Sequence, residues 1–226
     1  MKLKSERRVY DQMVNILENS KGVYLSIEKK LKLLIPKIKK NFTEQESHIL
    51  HIKYSADGAQ IIRQKSILNL TFTVLNEGKL AETSEGNYTI GIFDITNEDY
   101  DTISICFAEI KIEIDNLSEI EIDGSKYKIE TYIGGDLKML ANIYGINKAN
   151  ANCPCIWCIW DKRKLVNVDI KKVEKEIKKE WSILDREKGA RSLEDSINFT
   201  GQYGYLQLPI LQIPFHRIVI DVLHLF

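Results

Sequence analysis

The sequence predicts an α+β fold of the α/β type: a mixed sheet with an antiparallel three-strand meander, flanked by helices. Three observations predict it. Between residues 50 and 95 lie three apolar, β-branched stretches with short connections, which favours antiparallel neighbours. A helix-period run, Tyr100 to Leu117, follows them. Two further strand-like stretches then bracket Asp123-Gly124, the signature of a hairpin.

Residues 6 to 40 read as helix. Val9, Met13, Ile16 and Leu17 recur at helical spacing, as do Leu25, Ile27, Leu31 and Leu34, with Pro36 as a break or boundary. The first strand is His51 to Ala56 and ends at Asp57-Gly58, a dipeptide that favours a turn. The second is Ser66 to Leu75 and the third Asn87 to Ile95. In the run after them, Ile103, Cys106, Phe107, Ile110 and Ile114 share one helical face. The hairpin arms are Glu119 to Asp123 and Lys126 to Ile133, and the second arm ends at Gly134-Gly135-Asp136. A helix comes next, with Leu137, Leu140, Ala141 and Tyr144 on one face and Gly145 as its stop. Residues 169 to 188 read as a charged helix, 198 to 214 as a long loop, and 217 to 226 as an apolar helix. The resulting division is a helical region at 1–48, a core at 49–147 and a cysteine-bearing helical insertion at 148–226.

At 226 residues the chain can bury one sizeable core. Its 44% apolar and 28% charged residues, with four prolines and twelve glycines, are those of a globular protein rather than a disordered one. It has no apolar run of membrane-spanning length, and its charged start lacks a signal peptide, so no membrane partner and an intracellular location are expected. The formal net charge is zero, yet residues 1 to 40 hold eleven Lys/Arg against four Asp/Glu. Such a segment contacts phosphates or forms a solvated helical face.

Two aspartates share a context, Ser55-Ala56-Asp57-Gly58 and Gly134-Gly135-Asp136: each follows an apolar strand and sits beside glycine. A short carboxylate at the rim of a sheet reaches solvent and a metal. Two-metal phosphoryl transfer needs such groups, because the ions clamp the attacking and leaving oxygens. Magnesium keeps several waters, so two or three carboxylates suffice. Turn chemistry for Asp57-Gly58 and an N-cap role for Asp136 explain the same residues without a metal.

Three of the four cysteines fall in Cys153-Pro154-Cys155-Ile156-Trp157-Cys158. Cys155 and Cys158 have the spacing that places two thiolates on one zinc. Cys153, His216 and His224 are the candidates for the remaining ligands, and a buried, inert cluster is the alternative. Trp157 and Trp160 are expected to pack around this knuckle, and His48 and His51 to be surface or core positions. Asp221 and His224 lie three apart on the expected last helix, where they serve a metal or the scaffold.

Four motifs, Ser55-Ala56-Asp57-Gly58, Gly134-Gly135-Asp136-Leu137-Lys138, Cys155-Ile156-Trp157-Cys158 and Ile220-Asp221-Val222-Leu223-His224, stand in this order on the expected elements. Together they resemble the catalytic core of the RAG recombinase large subunit and its Transib-type transposase relatives, over roughly residues 50 to 226. The resemblance implies an RNase H-like fold in which Asp57 and Asp136 end two neighbouring strands and hold Mg²⁺ or Mn²⁺. It implies a zinc knuckle at Cys155 and Cys158, a DNA partner, a second copy or an accessory recombinase subunit as further partners, and a nuclear location in a eukaryotic host. In that family a third carboxylate, a glutamate, and two zinc-binding histidines lie farther along the chain. The chain is therefore expected to carry the front part of such a core. Three functions follow: metal-dependent DNA strand cleavage and transfer, a non-catalytic DNA- or protein-binding remnant, or a fragment with no activity of its own.

Overall fold

A computed structural model describes residues 14–16, 22–42, 48–62, 65–159, 161 and 190–220. They form a mixed α+β structure in two compact units, one within Met1–Gly135 and Val219–Phe226, the other within Asp136–Ile218. Among the described residues no helix is long and apolar enough to cross a membrane. The expected helix at 169–188 lies outside the described residues, as do Asp221 and His224.

The first unit opens with two strands, β1 (Val14–Ile16) and β2 (Gly22–Leu25), where the sequence pattern predicted helix. Apolar positions here fit either period over so short a span, and pairing to β5 decides for strand. Helix α1 (Ile27–Ile38) starts where Ser26 supplies a cap: its side chain accepts from the Lys29 N–H at 3.4 Å. Ile27, Leu31, Ile35 and Ile38 form its buried stripe. Pro36 lies inside α1 rather than ending it. Only one intrahelical N–H is missing there, and the helix stops two residues later.

Strands β3 (Ile49–Ile62), β4 (Lys65–Val74) and β5 (Asn87–Ile95) form the predicted antiparallel meander. Helix α2 (Tyr100–Asn116) is capped by Asp99, which accepts from the Thr102 N–H at 2.9 Å. It buries the five residues its spacing marked: Ile103, Cys106, Phe107, Ile110 and Ile114. The hairpin β6 (Glu119–Ile122) to β7 (Ser125–Gly135) turns on Asp123 (φ 50°) and Gly124 (φ 76°). Positive φ at both central residues is the turn whose twist matches the strands.

The sheet order is β1-β2-β5-β4-β3-β7-β6, with β8 (Ile218–Ile220) also paired to β7. Residues 218–220 are thus strand, not the start of a final helix; their β-branched run prefers a pleated surface. β7 lies parallel to β3, from Ile49–Lys128 to Ser55–Gly134. One face of the central strands is apolar and buried: Leu50, Ile52, Tyr54 and Ala56 on β3, and Leu68, Leu70, Phe72 and Val74 on β4. The α2 residue Phe107 meets Phe93 of β5 edge-on, with ring centroids 6.4 Å apart. Helix α1 packs on α2 and β6, and Glu113 of α2 accepts from both Ser26 Oγ (2.7 Å) and the Glu28 N–H (3.0 Å).

Among its described residues the second unit has little regular structure. Helix α3 (Leu137–Ile143) buries Met139 to Ile143, while Leu137 is exposed, so its buried face differs from the predicted one at that residue. It stops at Gly145 (φ 60°), as expected. Beyond it, Asn147 and Leu206 bond across to the carbonyls of Gly204 and Gly145. The Tyr144 hydroxyl donates to the Ile213 carbonyl at 2.8 Å, and its ring lies 4.4 Å from that of Phe215. Helix α4 (Leu193–Asn198) is short and capped by Ser192.

Candidate functional site

Asp57 sits inside β3, not at its end. The ladder to β4 continues past it, with Asp57 opposite Asn69, Gly58 opposite Leu68 and Ala59 opposite Ile67. Asp57-Gly58 is therefore no turn; the connection falls at residues 63–64, outside the described residues. A Cβ at Gly58 would lie 2.9 Å from Oε2 of Glu98, the movable end of a flexible side chain.

Strand alternation puts Asp57 on the face opposite the core, with Ser55, Lys53 and His51. Across the ladder the same face carries Asn69, Thr71 and Thr73. Asp57 is exposed, and no other described residue engages its carboxylate by hydrogen bond or ion pair. An aspartate in a strand interior is disfavoured by its backbone preference, and no contact here compensates. Directly opposite, Oδ1 of Asn69 is buried and has no hydrogen-bond partner. Sequence reading passed over Asn69, whose only signal was its polar place in the alternation of β4.

Asp136 begins the second unit and is the N-cap of α3, with Oδ1 accepting from the Met139 N–H at 2.6 Å. The capping role weighed for it in the sequence is present. The β3–β7 ladder runs side by side up to the Ser55–Gly134 rung. Asp57 follows that rung by two residues within β3. Gly134 is buried in the ladder, where a Cβ would meet Ser55 Oγ at 2.9 Å and Lys53 Cδ at 3.2 Å.

Farther down the same strands, His51 Nδ1 lies 3.5 Å from Glu130 Oε2 and 3.4 Å from the Tyr132 hydroxyl. His48 lies with its ring 6.0 Å from that of Tyr127. Both histidines serve packing and hydrogen bonding on the sheet.

Within the second unit the structure brings Cys155 and Cys158 together. The Cys158 thiol donates to Cys155, which lowers the Cys155 pKa to about 6, with help from the Trp157 and Cys158 N–H groups and the Arg191 guanidinium against the opposing effect of burial. Cys153 is buried and serves through its carbonyl, which accepts from Arg191 Nη2 at 3.3 Å. His216 is exposed. Among the described residues no group of three His, Cys, Asp or Glu side chains is arranged to hold a metal. Trp157 is 41% exposed; Trp160 lies outside the described residues.

Arg191 organises this region and was invisible in the sequence, where it has neither periodicity nor motif. It is 4% exposed. Its Nε donates to the Cys155 carbonyl at 2.9 Å, its backbone N–H to the Trp157 carbonyl at 2.8 Å, and its guanidinium lies 4.6 Å from the Tyr205 ring centroid. Cys158 and Ala190 form an antiparallel bridge beside it. No described carboxylate pairs with Arg191, and among the described residues its buried Nη1 has no hydrogen-bond partner.

Compared with known proteins, the chain matches no family model and no curated protein.

Proposed function

We propose that the chain is part of an RNase H-like DNA recombinase or transposase core that cleaves and joins DNA strands with two Mg²⁺ or Mn²⁺ ions. One observation carries this reading. Every rung of the β3–β7 ladder pairs residues 79 positions apart (for instance 134 − 55), and Asp57 and Asp136 have the same offset (136 − 57). The two aspartates thus carry the sequence offset of the paired strands, the order the resemblance implies for carboxylates that share a metal pair. The sheet order supports it as well: an antiparallel meander whose first strand has a parallel neighbour reached through a helix and a hairpin.

The residues fit such ions in kind. Asp57 is exposed and unengaged, an orphaned carbonyl oxygen lies across from it, and Asp136 keeps Oδ2 beyond its capping bond. When bound, the ions would stabilise the charge that develops as an oxygen attacks a phosphodiester. The chain's own part is to hold carboxylates where they are not neutralised by lysine or arginine, and to approach phosphates with basic surface. Exposed Lys29, Lys37, Lys39 and Lys40 on and just after α1 offer such surface. Cys155 and Cys158 would supply two thiolates to a structural zinc, and the buried, carboxylate-free Arg191 favours negative charge on them. A eukaryotic protein of this kind would act in the nucleus, as a homodimer or with an accessory subunit.

A second reading is a non-catalytic DNA- or protein-binding remnant. The capping bond of Asp136 favours it, because that bond alone accounts for the residue. Nicking of supercoiled plasmid by the protein in its longest reading frame separates the two. Asp57→Ala and Asp136→Ala should each lower Mn²⁺-dependent nicking by about a hundredfold or more while salt-dependent DNA binding persists. Binding without nicking in the parent protein selects the remnant. Equal nicking by parent and both variants ends the recombinase reading.

A further inference from the structure

We infer that Asn69 is a metal ligand: its side-chain carbonyl, across the ladder from Asp57, coordinates the same divalent cation as the Asp57 carboxylate. The inference rests on the two-metal proposal above and goes beyond the paired aspartates by adding a neutral oxygen from β4.

The register supplies the geometry. Asp57 and Asn69 are direct partners in the antiparallel β3–β4 ladder. Direct partners project to the same face, with Cβ atoms roughly 4.5–5.5 Å apart, a separation that two oxygens bridging one small cation can span. That face is the one away from the apolar core. Ile92, the partner of Asn69 on β5, is 46% exposed, so the row Asp57–Asn69–Ile92 is open to solvent at both ends.

The polar inventory supplies the need. Asn69 Oδ1 is a buried acceptor with no donor. An unsatisfied buried acceptor is costly, and native proteins seldom retain one without a partner or a role. Its neighbour across the ladder is a carboxylate, which when ionised has only acceptor oxygens and nothing to donate. The Asp57 carboxylate and the Asn69 amide oxygen are thus acceptors at directly paired positions of the ladder. A hard divalent cation resolves both at once, since Mg²⁺, Mn²⁺ and Ca²⁺ take carboxylate and amide carbonyl oxygens together. Leu68 and Leu70 flank Asn69 on the buried face, and Thr71 and Thr73 follow it on its own. Thr71 Oγ1 donates to the Ser55 carbonyl and Thr73 Oγ1 to Asn87. Asn69 thus differs from its two same-face neighbours on β4, whose side chains are both engaged within the sheet.

The experiment measures Mn²⁺ binding to the whole protein by electron paramagnetic resonance of the free ion, with no DNA and no turnover. Four proteins are compared: parent, Asp57→Asn, Asn69→Leu and Asn69→Asp, each checked by far-ultraviolet circular dichroism and thermal unfolding. Asn69→Leu keeps the branched shape but removes the oxygen, and should weaken Mn²⁺ binding by roughly tenfold. Asn69→Asp adds a negative ligand and should tighten it several-fold. Asp57→Asn should remove most of the binding. If neither Asn69 variant shifts the affinity while Asp57→Asn does, Asn69 is not a ligand and the metal reading of Asp57 stands. If the parent binds no Mn²⁺, or Asp57→Asn binds as the parent does, the metal proposal itself falls. Should Asn69→Leu fail to fold, the Asn69→Asp result decides alone: unchanged or weaker binding overturns the inference.

Discussion

In the sheet unit residues 66 to 73 of β4 each have a partner on both neighbouring strands, and a broken bond leaves the rest of the ladder in place. In the second unit Arg191 alone links the carbonyls of Cys153, Cys155 and Trp157, positions 34 to 38 residues away in the chain (191 − 157 and 191 − 153). One region spreads its stability over a repeating pattern. The other, among its described residues, concentrates it in a buried cation and a few turn glycines. The difference teaches where function and fragility sit: the patterned region tolerates an unfavourable Asp57 mid-strand, whereas the sparse one depends on single side chains.

The comparison is tested most severely in the sheet. Phe107 is fully buried on α2 against Phe93. Phe107→Ala should cost about 3–5 kcal/mol, read as a lower urea midpoint at unchanged slope. A cost below about 1 kcal/mol would show that this face of the sheet is loosely packed.

Next in size is Arg191→Met, which removes two charged hydrogen bonds and the stacking on Tyr205, for a loss of about 3 kcal/mol. Hydrogen exchange should show faster opening at Asn147 and Leu206 while β4 amides stay protected. Zinc content of the purified protein should fall in this variant and in Cys155→Ser. Uniformly faster exchange in both units would erase the distinction between them.

The smallest effect belongs to Glu77, a carboxyl 3% exposed in the turn after β4. Burial pushes its pKa up, while hydrogen bonds from Tyr88 (3.0 Å) and Asn41 oppose the rise. A raised acid binds its proton more tightly folded than unfolded. Its penalty is therefore absent below the ordinary carboxylate value of about 4.3, grows as pH rises toward the folded value, and is complete above it. Glu77→Gln should flatten that decline and leave the protein slightly more stable at neutral pH. Thermal unfolding between pH 4 and 8 reads it; parallel curves for both proteins would mean that Glu77 ionises freely in the fold.

How much was legible follows the same division. The meander, α2 with its five buried residues, the Asp123-Gly124 hairpin and the Gly145 stop were readable because each is a local pattern whose period or turn chemistry has one solution. The strands at 14–16 and 22–25 were not, since three or four residues cannot distinguish periods and long-range pairing decided. Asp57-Gly58 misled for a related reason: Asp-Gly is turn chemistry in isolation, but the ladder to β4 on both sides keeps it extended. The Cys155–Cys158 pair was visible as spacing. Arg191 and Asn69 were not, because their meaning lies in what stands opposite them, and a single sequence does not say what that is.

The parallel pairing of β3 with β7 also sets an order of assembly. β3 and β4 are joined by a short connection and can pair as soon as both leave the ribosome. The other edge of β3 must wait for a strand 79 positions farther on (128 − 49). At about 5–20 residues per second of synthesis, that wait is about 4 to 16 seconds. Throughout it, the backbone from Ile49 to Ser55 stands as an unpaired edge, the kind of surface on which chains join wrongly. His51, Lys53 and Ser55 make one face of that nascent strand polar, and a charge on an unpaired strand is one of the devices that keep such edges from joining a neighbouring chain.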